Sequence, residues 1–548
     1  MKIMNSENEY EANTSDLMIP TSRKKLFADV HGVTIKALNK GTSQFSFTLP
    51  DYLNFLNNQK LRLRYDLTMS GRGMPKPNPS AGVHSLFRNM LVRTQNGMKT
   101  LETLDEYSSM VAYQYSYSAD QGIIHNREIN EGLSLTNNST NQLFWAAQPL
   151  PNAGITAANV AKKVAINQEI YSGLLGTESK ILAVGAMGGV RLTVEMNTLK
   201  KSIRLANDSS KTGAKSALVK TQVAAAAWNN ASVIHTVDIV TKTSHLTESG
   251  FEVGDAIYYE VGGADVLIGI VVSVGGSGSD MAIKVKGDVA INTDWKLLAV
   301  DTKLYTRPQD RFNGWTPSAN IVAGNGNAAI ALAIAQAAVK VDYVMENLEM
   351  IVDVVQPPKS YVDLMVRKIN SKEGLVMNYK TNNLLKVGVV GTQGSLAASI
   401  PNTSRRLYSM NILPVPITDT FDGQNLTAVP DDLENYQFVV NGNLQPTRVI
   451  DTTRMNLTPA YVPQQHLQEL RKSLVSSGVF VRSLQSPEKN VIIGRAFGMG
   501  GAVSDVTKSD LQVRLEYGSN ATTQKILFCF MCEARTLIVR DTEVDVVV

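Results

Sequence analysis

The sequence predicts an all-β protein made of two consecutive barrel-sized blocks, the first of which carries a long insertion. Apolar residues alternate with polar ones over short runs, which is the period of a half-buried strand. Turns rich in Gly, Pro and Asn separate these runs, and the composition changes between about residues 205 and 340. A chain of 548 residues has room for three or four domains at about 150 residues each.

The first block contains a clear strand between residues 61 and 70. Apolar residues occupy every second position there, and polar residues fill the positions between them. The Gly- and Pro-rich segment 71–79 removes ladder donors, so the strand ends and a long loop is expected. The apolar positions are Leu61, Leu63, Tyr65, Leu67 and Met69.

Two further patterns belong to the first block. Asn96-Gly97 separates two short runs and predicts a tight type I′ hairpin, since both residues tolerate a positive φ. Near residue 190 another alternation predicts a strand with Val190, Leu192, Val194 and Met196 on one face.

The insertion at 205–340 predicts a small nested β-barrel. Short apolar runs at 251–261, 266–274 and 281–287 are separated by Gly-rich turns. The phrase Val253-Gly254-Asp255-Ala256-Ile257 resembles small SH3-like barrels. The Ala-rich stretch 328–339 predicts a packed helix, because it is too short for a bilayer and contains Gln336.

A strand and a helical connector follow the insertion. The strand at 343–358 ends at a proline pair, and Tyr361, Leu364, Met365 and Lys368 have helical spacing before Gly374. The second block then returns to short strands. One helix, at 464–478, interrupts them and is expected to end at Gly478, with a predicted apolar face of Leu467, Leu470, Leu474 and Val475.

A short internal echo supports two related halves. Gly188 to Leu192 reads GGVRL, and Gly500-Gly501 is followed by Val513-Arg514-Leu515. Each copy lies near the end of a strand-rich block. Two all-β blocks of jelly-roll size are the simplest account of this pattern.

Charge gives little support to nucleic acid as the default partner. Lys and Arg number 53 against 49 Asp and Glu, so the formal net charge is only +4. The densest basic clusters, Arg23-Lys24-Lys25 and Arg405-Arg406, are interpreted as solvated charges, with an anionic surface of nucleic acid or lipid as the alternative. The first residues lack the apolar run of a signal peptide, which predicts synthesis in a reducing compartment.

No motif in the sequence predicts catalysis. The run from Gly324 to Ala329 fits the dinucleotide fingerprint G-x-G-x-x-A, but no buried strand precedes it, so we interpret it as a turn and a helix start. A nicotinamide oxidoreductase is the enzymatic alternative. The carboxylate pairs Asp105-Glu106 and Asp431-Asp432 are interpreted as solvated acids. We therefore predict no enzyme, no catalytic residue and no cofactor.

The cysteines and histidines do not predict a metal or redox site. Cys529 and Cys532 match C-x-x-C, but side chains three apart in a strand point to opposite faces, which favours buried structural cysteines. The histidines lack any ligand spacing. They are His31, His84, His125, His235, His245 and His466.

Four stretches of the chain, taken in order, resemble a known family. They are 81–110, which begins Ala-Gly-Val-His-Ser-Leu-Phe, then 346–358, then 435–451 with its Asn-Gly and proline, and the C-terminal strands. This order is similar to that of the double jelly-roll major capsid proteins of icosahedral double-stranded DNA viruses, most closely those of polinton-like viruses and virophages. The resemblance spans about residues 28–200 and 343–548.

The resemblance implies two consecutive eight-stranded jelly-roll barrels with a small β-barrel insertion in the first. It divides the chain into an N-terminal arm (1–27), a first jelly roll (28–204 with 341–358), a connector (359–374) and a second jelly roll (375–548). The insertion (205–340), an SH3-like barrel plus a helix, lies between the last two predicted strands of the first barrel. It is expected to form a tower on the outer face.

The function implied by the resemblance is structural. Such a chain forms pseudo-hexagonal homotrimers that tile an icosahedral shell and contact neighbouring capsomers, penton proteins and minor capsid proteins. Its inner face would look toward a genome or an internal membrane. The expected location is the virion, after synthesis in the host cytoplasm without secretion. The alternative is a viral spike, fibre or receptor-binding surface protein whose working domain is the insertion.

Overall fold

The fold is that of a computed structural model, which describes 24 segments and single residues of the chain. They are 18–20, 28–36, 43–51, 55–73, 75–78, 80–118, 131, 162–176, 180–205, 217–220, 234–241, 250–275, 281–287, 300–322, 327–389, 394–401, 406–416, 426, 433–452, 464–481, 491–497, 510–517, 525–541 and 543–547.

Strands dominate these residues. Those up to the insertion are β1 (Met18–Pro20), β2 (Ala28–Lys36), β3 (Gln44–Leu49), β4 (Phe55–Ser70), β5 (Pro75–Pro77), β6 (Phe87–Thr94), β7 (Thr100–Leu104), β8 (Lys162–Glu169), β9 (Lys180–Ala183) and β10 (Val190–Met196). The last strand before the insertion is β11 (Ile203–Leu205), and those of the insertion are β12 (Ala217–Val219), β13 (His235–Thr241), β14 (Ala256–Val261), β15 (Ala264–Gly275), β16 (Met281–Gly287) and β17 (Lys303–Leu304).

The chain returns from the insertion to the first block through β18 (Asp342–Gln356). The second block contains β19 (Leu375–Val389), β20 (Ser395–Ser399), β21 (Leu407–Pro416), β22 (Leu433–Val440), β23 (Asn443–Asp451), β24 (Ile493–Ala496), β25 (Leu511–Tyr517), β26 (Lys525–Arg540) and β27 (Glu543–Val547). The helices are α1 (Tyr107–Ser118), α2 (Leu199–Ser202), α3 (Pro308–Asn313), α4 (Ala319–Val322), α5 (Ala328–Ala337), α6 (Lys359–Ile369) and α7 (Gln464–Ser476).

The strand order of both blocks is that of a jelly roll. In the first block one sheet has the order β9-β4-β18-β2 and the facing sheet β3-β10-β6-β7. Lettered B to I along the chain, these are the G-D-I-B and C-H-E-F sheets of a jelly roll, two packed sheets joined by Greek-key connections. In the second block the sheets are β19-β26-β21-β24 and β20-β25-β22-β23, which is the same order. The predicted double jelly-roll fold is therefore confirmed.

Extra strands extend the first sheet. β8 pairs with the second half of β4, and β1 pairs with β9. β1 belongs to the predicted N-terminal arm, so part of that arm is a strand of the barrel. The rest of the arm lies outside the described residues.

The predicted alternation in β4 places its apolar side chains in the barrel core. All five of the apolar residues from Leu61 to Met69 are buried, and Leu63 is paired with the buried Met350 of β18. Val190, Leu192 and Val194 of β10 are buried as predicted, whereas a bulge next to Met196 leaves that side chain half-buried. The expected long loop after β4 contains a short strand, β5, which pairs with β11.

The hairpin prediction is right at 96–97, but the turn type is wrong. Five residues join β6 to β7, and of the Asn-Gly pair only Gly97 has a positive φ, 74°. The Asn96 side chain accepts hydrogen bonds from Thr94 and from the backbone of Met98, which holds a wider turn. A two-residue turn with positive φ at both positions occurs instead at Asn441 (53°) and Gly442 (76°), between β22 and β23.

The insertion contains the predicted small β-barrel. Its sheet has the order β14-β15-β16-β13-β12-β17. A bridge between Tyr258 of β14 and Tyr305, next to β17, joins the two ends of this sheet and closes it. The Ala-rich helix α5 packs its buried Ile330 and Ala333 on β15. Assignment of this barrel to the SH3-like type stays a prediction.

Two helices bury or half-bury three of the four residues of the predicted face and expose the fourth. In α6 the side chains in contact with the core are Tyr361, Met365 and Ile369, four residues apart, while Leu364 is 51% exposed. In α7 the buried face comprises His466, Glu469, Leu470, Ser473 and Leu474, whereas Val475 is exposed. In both helices one residue of the predicted apolar face is on the solvent side.

The internal echo corresponds to equivalent strands. Val190 to Leu192 lie in β10 and Val513 to Leu515 lie in β25, which are strand H of the first and second barrels. Gly500 and Gly501 lie outside the described residues.

Candidate assembly site: the barrel seam and the insertion anchor

The two barrels meet along a buried seam between β7 of the first and β19 of the second. The apolar core of the first barrel continues into the second through Leu375, Met377 and Tyr379 of β19. Tyr379 donates its hydroxyl to the carbonyl oxygen of Leu101 in β7. The segment at Gly173 lies so close to β19 that an added Cβ would be 1.5 Å from the Lys380 carbonyl oxygen.

A fully buried carboxylate, Glu102, lies at the centre of the seam. It accepts hydrogen bonds from the Ser172 hydroxyl, the Gly173 amide at 2.9 Å and the Leu174 amide at 3.3 Å. Burial raises the pKa of Glu102 above its ordinary value, and these hydrogen bonds only partly oppose the rise. The carboxyl thus fixes the segment 172–174 against β7, next to the second barrel.

A second carboxylate, Glu106, forms an ion pair across the seam with a lysine of the second barrel. Its side chain is 3% exposed and lies 2.8 Å from Lys386 Nζ of β19, 3.5 Å from Lys201 Nζ and 3.7 Å from Arg88 Nε. Burial favours the neutral acid, but these cations outweigh it and hold the pKa of Glu106 below its ordinary value. The prediction that Asp105-Glu106 are solvated acids is therefore wrong for Glu106, because the second barrel covers it.

The insertion is joined to the first barrel by a buried ionic triad. Asp255 Oδ1 is 2.6 Å from Arg72 Nη1 and 3.0 Å from Arg311 Nε, and Asp255 Oδ2 is 2.5 Å from Arg311 Nη2. All three side chains are at most 6% exposed. Burial favours the neutral acid, but the two guanidinium groups overcome it and lower the pKa of Asp255. Arg72 follows β4, so the triad fixes the insertion barrel to the end of that strand.

Close packing reinforces this insertion anchor. The Gly73 amide donates to Glu252 Oε2 at 2.8 Å, and the Glu252 amide donates to Asp255 Oδ2 at 2.8 Å. A Cβ at Gly73, where φ is 87°, would lie 2.8 Å from Arg311 Nη1. Sequence reasoning selected Val253-Gly254-Asp255 as a barrel motif but missed the ionic role of Asp255, because both arginines are distant in sequence.

Two histidines lie in buried aromatic clusters, one in each barrel. His84 Nδ1 lies 3.2 Å from Tyr107 Oη, and His84 Nε2 is 3.4 Å from Glu131. His466 Nδ1 lies 3.2 Å from Tyr436 Oη, and burial lowers the pKa of His466 to about 4. Both histidines are fully buried. His235 is also buried.

The other residues that the sequence analysis considered as possible site residues do not form a common site among the described residues. Cys529 and Cys532 are free and buried in β26, and burial raises the pKa of each thiol to about 12. Arg406 donates to Thr536 Oγ1 at 2.5 Å. Several candidates lie outside the described residues: Arg23-Lys24-Lys25, His125, His245, Gly324 to Gly326, Arg405 and Asp431-Asp432, while only the strand position of His31 is described.

Two absences hold within the described residues. No three His, Cys, Asp or Glu side chains there form a cluster that could hold a metal ion. In the same part of the chain, no helix is long and apolar enough to span a bilayer. Asn327, the last residue before α5, caps that helix by accepting from the Ala329 amide at 3.0 Å, as the turn-plus-helix interpretation of this segment predicts.

Comparison with known proteins returns structural matches only. No protein-family model matches the chain. No curated protein sequence matches it either.

The solved structures similar to the chain include viral capsid proteins. A chain of the PBCV-1 virus capsid is 8% identical, with coverage of 95% of this chain and 97% of that one, at a TM-score of 0.46. The Faustovirus major capsid protein is 8% identical, at 94% and 91% coverage and a TM-score of 0.41. The mavirus major capsid protein is 10% identical, at 94% and 90% coverage and a TM-score of 0.33. The fold assignment rests on the strand order given above.

Proposed function

We propose that this protein is a major capsid protein, a structural subunit that forms pseudo-hexagonal homotrimers and tiles the icosahedral shell of a double-stranded DNA virus. The observation that carries the proposal is the tandem jelly roll with one buried seam. Two barrels of equal strand order, fixed side by side by Glu102, Glu106 and Tyr379, form a rigid two-lobed block. Three such blocks arranged head to tail present six barrels around one axis.

The four sequence stretches that resemble capsid proteins fall on structural parts of this block. His84 of the first stretch is packed under α1 among Tyr107, Tyr115 and Tyr171. The second stretch lies in β18, the third forms the β22–β23 hairpin and the last forms β26. The resembling residues thus build cores and turns, which supports a structural rather than an enzymatic role.

The expected partners follow from the same role. They are two further copies in the capsomer, neighbouring capsomers, and penton and minor capsid proteins at the edges, within the virion. An internal membrane or the genome would face the inner side. Synthesis in the host cytoplasm without secretion belongs to the same proposal.

The insertion supports a second, compatible role in attachment. It leaves the first barrel after β10, returns at β18, and is anchored at the end of β4 by Asp255, Arg72 and Arg311. A tower held by a buried triad keeps a fixed orientation on the capsomer. Deletion of 205–340 should then abolish attachment to cells and leave a folded trimer if the insertion is a receptor-binding domain.

The test of the capsid role is the solution mass of the purified chain by light scattering, with negative-stain images of the same sample. A mass of three times 59.6 kDa and a pseudo-hexagonal outline are expected. A monomer or dimer without that outline would reject the capsomer. A nicotinamide-induced thermal shift would instead favour the oxidoreductase alternative.

A further inference from the structure

A cluster of tyrosine, acidic and basic side chains lies on one flank of the insertion barrel, between β14 and α3. Tyr258 and Tyr305 form the bridge that closes the barrel, and their buried rings are stacked with an interplanar angle of 22°. The Tyr258 hydroxyl donates to Asp310 Oδ2 at 3.0 Å, and the Tyr305 hydroxyl donates to Asp265 Oδ1 at 2.6 Å. Each buried ring therefore holds a carboxylate that is more exposed than the ring itself.

Arg307 lies across this cluster. Its guanidinium carbon is 4.1 Å from the centre of the Tyr258 ring, and its Nη2 is 3.2 Å from Asp310 Oδ1. Burial lowers the pKa of Arg307, but the hydrogen bond with Asp310 and the charges of Asp310 and Asp265 raise it above its ordinary value. Both carboxylates are therefore close to Arg307. The position over the Tyr258 ring that a cationic ligand would take is already filled by this side chain.

Trp315 supplies an aromatic surface next to these polar groups. It follows α3 and packs against the buried group of Ala256, Tyr258 and Tyr305, while its own side chain is only half-buried. The Trp315 amide donates to the Ala337 carbonyl oxygen at 2.7 Å, which fixes the backbone of Trp315 against the end of α5. A partly exposed aromatic ring beside oriented polar groups is typical of a small-ligand site.

The charges around this surface balance among the described residues. Three acids and three bases surround the tyrosine pair, so neither an anion nor a cation is attracted by an excess of the opposite charge. They are Asp265, Asp310, Glu260, Arg307, Lys303 and Lys340. Carboxylates accept hydrogen bonds from neutral hydroxyl groups, a guanidinium donates to such groups, and an aromatic ring packs against apolar C–H groups. A neutral sugar has hydroxyl and apolar C–H groups on one small ring.

We propose that the surface formed by Asp265, Arg307, Asp310 and Trp315 binds a neutral sugar. The inference rests on the proposed attachment role of the insertion and gives that role a site and a class of ligand. Trp315 packs on the apolar face of the sugar ring, Asp265 accepts hydrogen bonds from its hydroxyls, and Arg307 donates from the N–H groups that Asp310 does not use. The two buried tyrosines already hold both carboxylates, so little side-chain entropy is lost on binding.

The central experiment records saturation-transfer NMR on the purified full chain with D-galactose, D-glucose, D-mannose and N-acetylglucosamine, and with N-acetylneuraminic acid as the anionic sugar. Transfer is expected to at least one neutral sugar, and a titration then gives its Kd. Asp265→Asn should raise that Kd by about tenfold or more, because a charged acceptor is lost. The matched control is Asp238→Asn, an exposed aspartate of β13 on the opposite side of the six-stranded barrel, which should leave the Kd unchanged.

A second pair of variants tests the aromatic surface and controls for folding. Trp315→Phe keeps an aromatic ring, whereas Trp315→Leu keeps only an apolar side chain. Both fill part of the space beside the buried tyrosines, so thermal melting should give similar stabilities for the two variants. Trp315→Phe is expected to retain transfer to the neutral sugar and Trp315→Leu to lose it, because the flat ring supplies the surface on which the sugar packs.

The outcomes separate the inference from the proposed function. Absence of transfer to every neutral sugar, or transfer that survives in both Asp265→Asn and Trp315→Leu, would overturn the site. Stronger transfer to N-acetylneuraminic acid would overturn the neutral class. If deletion of 205–340 abolished attachment but no neutral sugar bound, the attachment role would stand and only the sugar site would be rejected. Weaker binding in Asp265→Asn and Trp315→Leu, but not in Asp238→Asn or Trp315→Phe, supports the proposal.

Discussion

The seam between the barrels and the anchor of the insertion each contain a buried carboxylate, but the two carboxylates are stabilised in opposite ways. Glu102 at the seam accepts hydrogen bonds from a hydroxyl and two backbone amides, and burial raises its pKa. Asp255 at the anchor lies between two guanidinium groups, which lower its pKa. The seam is therefore held by close packing and hydrogen bonds around Glu102, whereas the anchor is held by charge.

This difference predicts which kind of substitution should destabilise the seam and which should destabilise the insertion anchor. Removal of one partner of a buried ion pair strongly lowers the stability of the fold, because the remaining charge stays buried. A close-packed contact fails when extra volume is added. The insertion anchor should therefore be sensitive to loss of charge, and the seam should be sensitive to added side-chain volume.

The largest effect is expected from Asp255→Asn. The substitution removes the carboxylate that the buried Arg72 and Arg311 share, so the free energy of unfolding should fall by about 3–5 kcal/mol. Denaturant unfolding of the purified chain measures the loss. Glu346→Gln is the control, since Glu346 and its partner Lys163 are both about half exposed, and it should cost less than about 1 kcal/mol. Equal losses in the two variants would show that the triad does not hold the insertion.

A smaller effect is expected from Gly173→Ala at the seam. The new Cβ would lie 1.5 Å from the Lys380 carbonyl oxygen, so the two segments must separate, at a cost of about 1–3 kcal/mol. Gly388→Ala, also on β19, meets nothing within 4 Å and should be neutral or slightly stabilising. Thermal melting of both variants tests this. Retention of wild-type stability by Gly173→Ala would mean that the barrels are not packed this closely.

The smallest effect concerns pH and distinguishes the two carboxylates directly. Because the folded pKa of Glu102 is raised, its contribution to stability is present below the ordinary value of 4.5 and is lost as pH rises through the folded pKa. Glu102→Gln should therefore be more stable than the wild type at neutral pH, and this advantage should shrink as pH falls toward 4.5. Thermal melting of the variant and the wild type between about pH 4 and pH 8 would measure this difference in stability.

Asp255 should show the opposite dependence. Its folded pKa is lowered, so its contribution is present above the ordinary value of 3.8 and is lost only as pH falls through the folded pKa. An advantage of Glu102→Gln that grows toward acid pH would contradict the assignment of the raised pKa to Glu102.

Local pattern predicted most strands and one hairpin correctly. The alternation at Leu63 and Val194 identified core strands, and the proline pair after β18 marked its end. The Asn-Gly signal was assigned a type I′ turn at residue 97, whereas that turn is at Asn441-Gly442. The same dipeptide occurs at both places, but five residues join β6 to β7 and two join β22 to β23, and the length of the connection selects the turn type.

The residues of the assembly site were largely missed. The sequence places Glu106 at an apparent loop or strand end, which predicts a solvated acid, while Lys386, which pairs with it, is 280 residues away. Asp255 and Arg72 are 183 residues apart. The local alternation of apolar and polar residues does not predict contacts between residues so far apart in sequence. Such contacts depend on which sheet edges meet after both barrels have formed.

The sequence by itself determined the all-β class, the two blocks, the insertion barrel and the burial of Cys529 and Cys532, because these follow from the two-residue period of strands and from turn residues. Only the tertiary structure decided the burial of Glu102 and Glu106 and the ionic triad at Asp255. The reason is physical: burial, pKa and exposure are set by what packs against a residue, and here the packing element comes from another barrel.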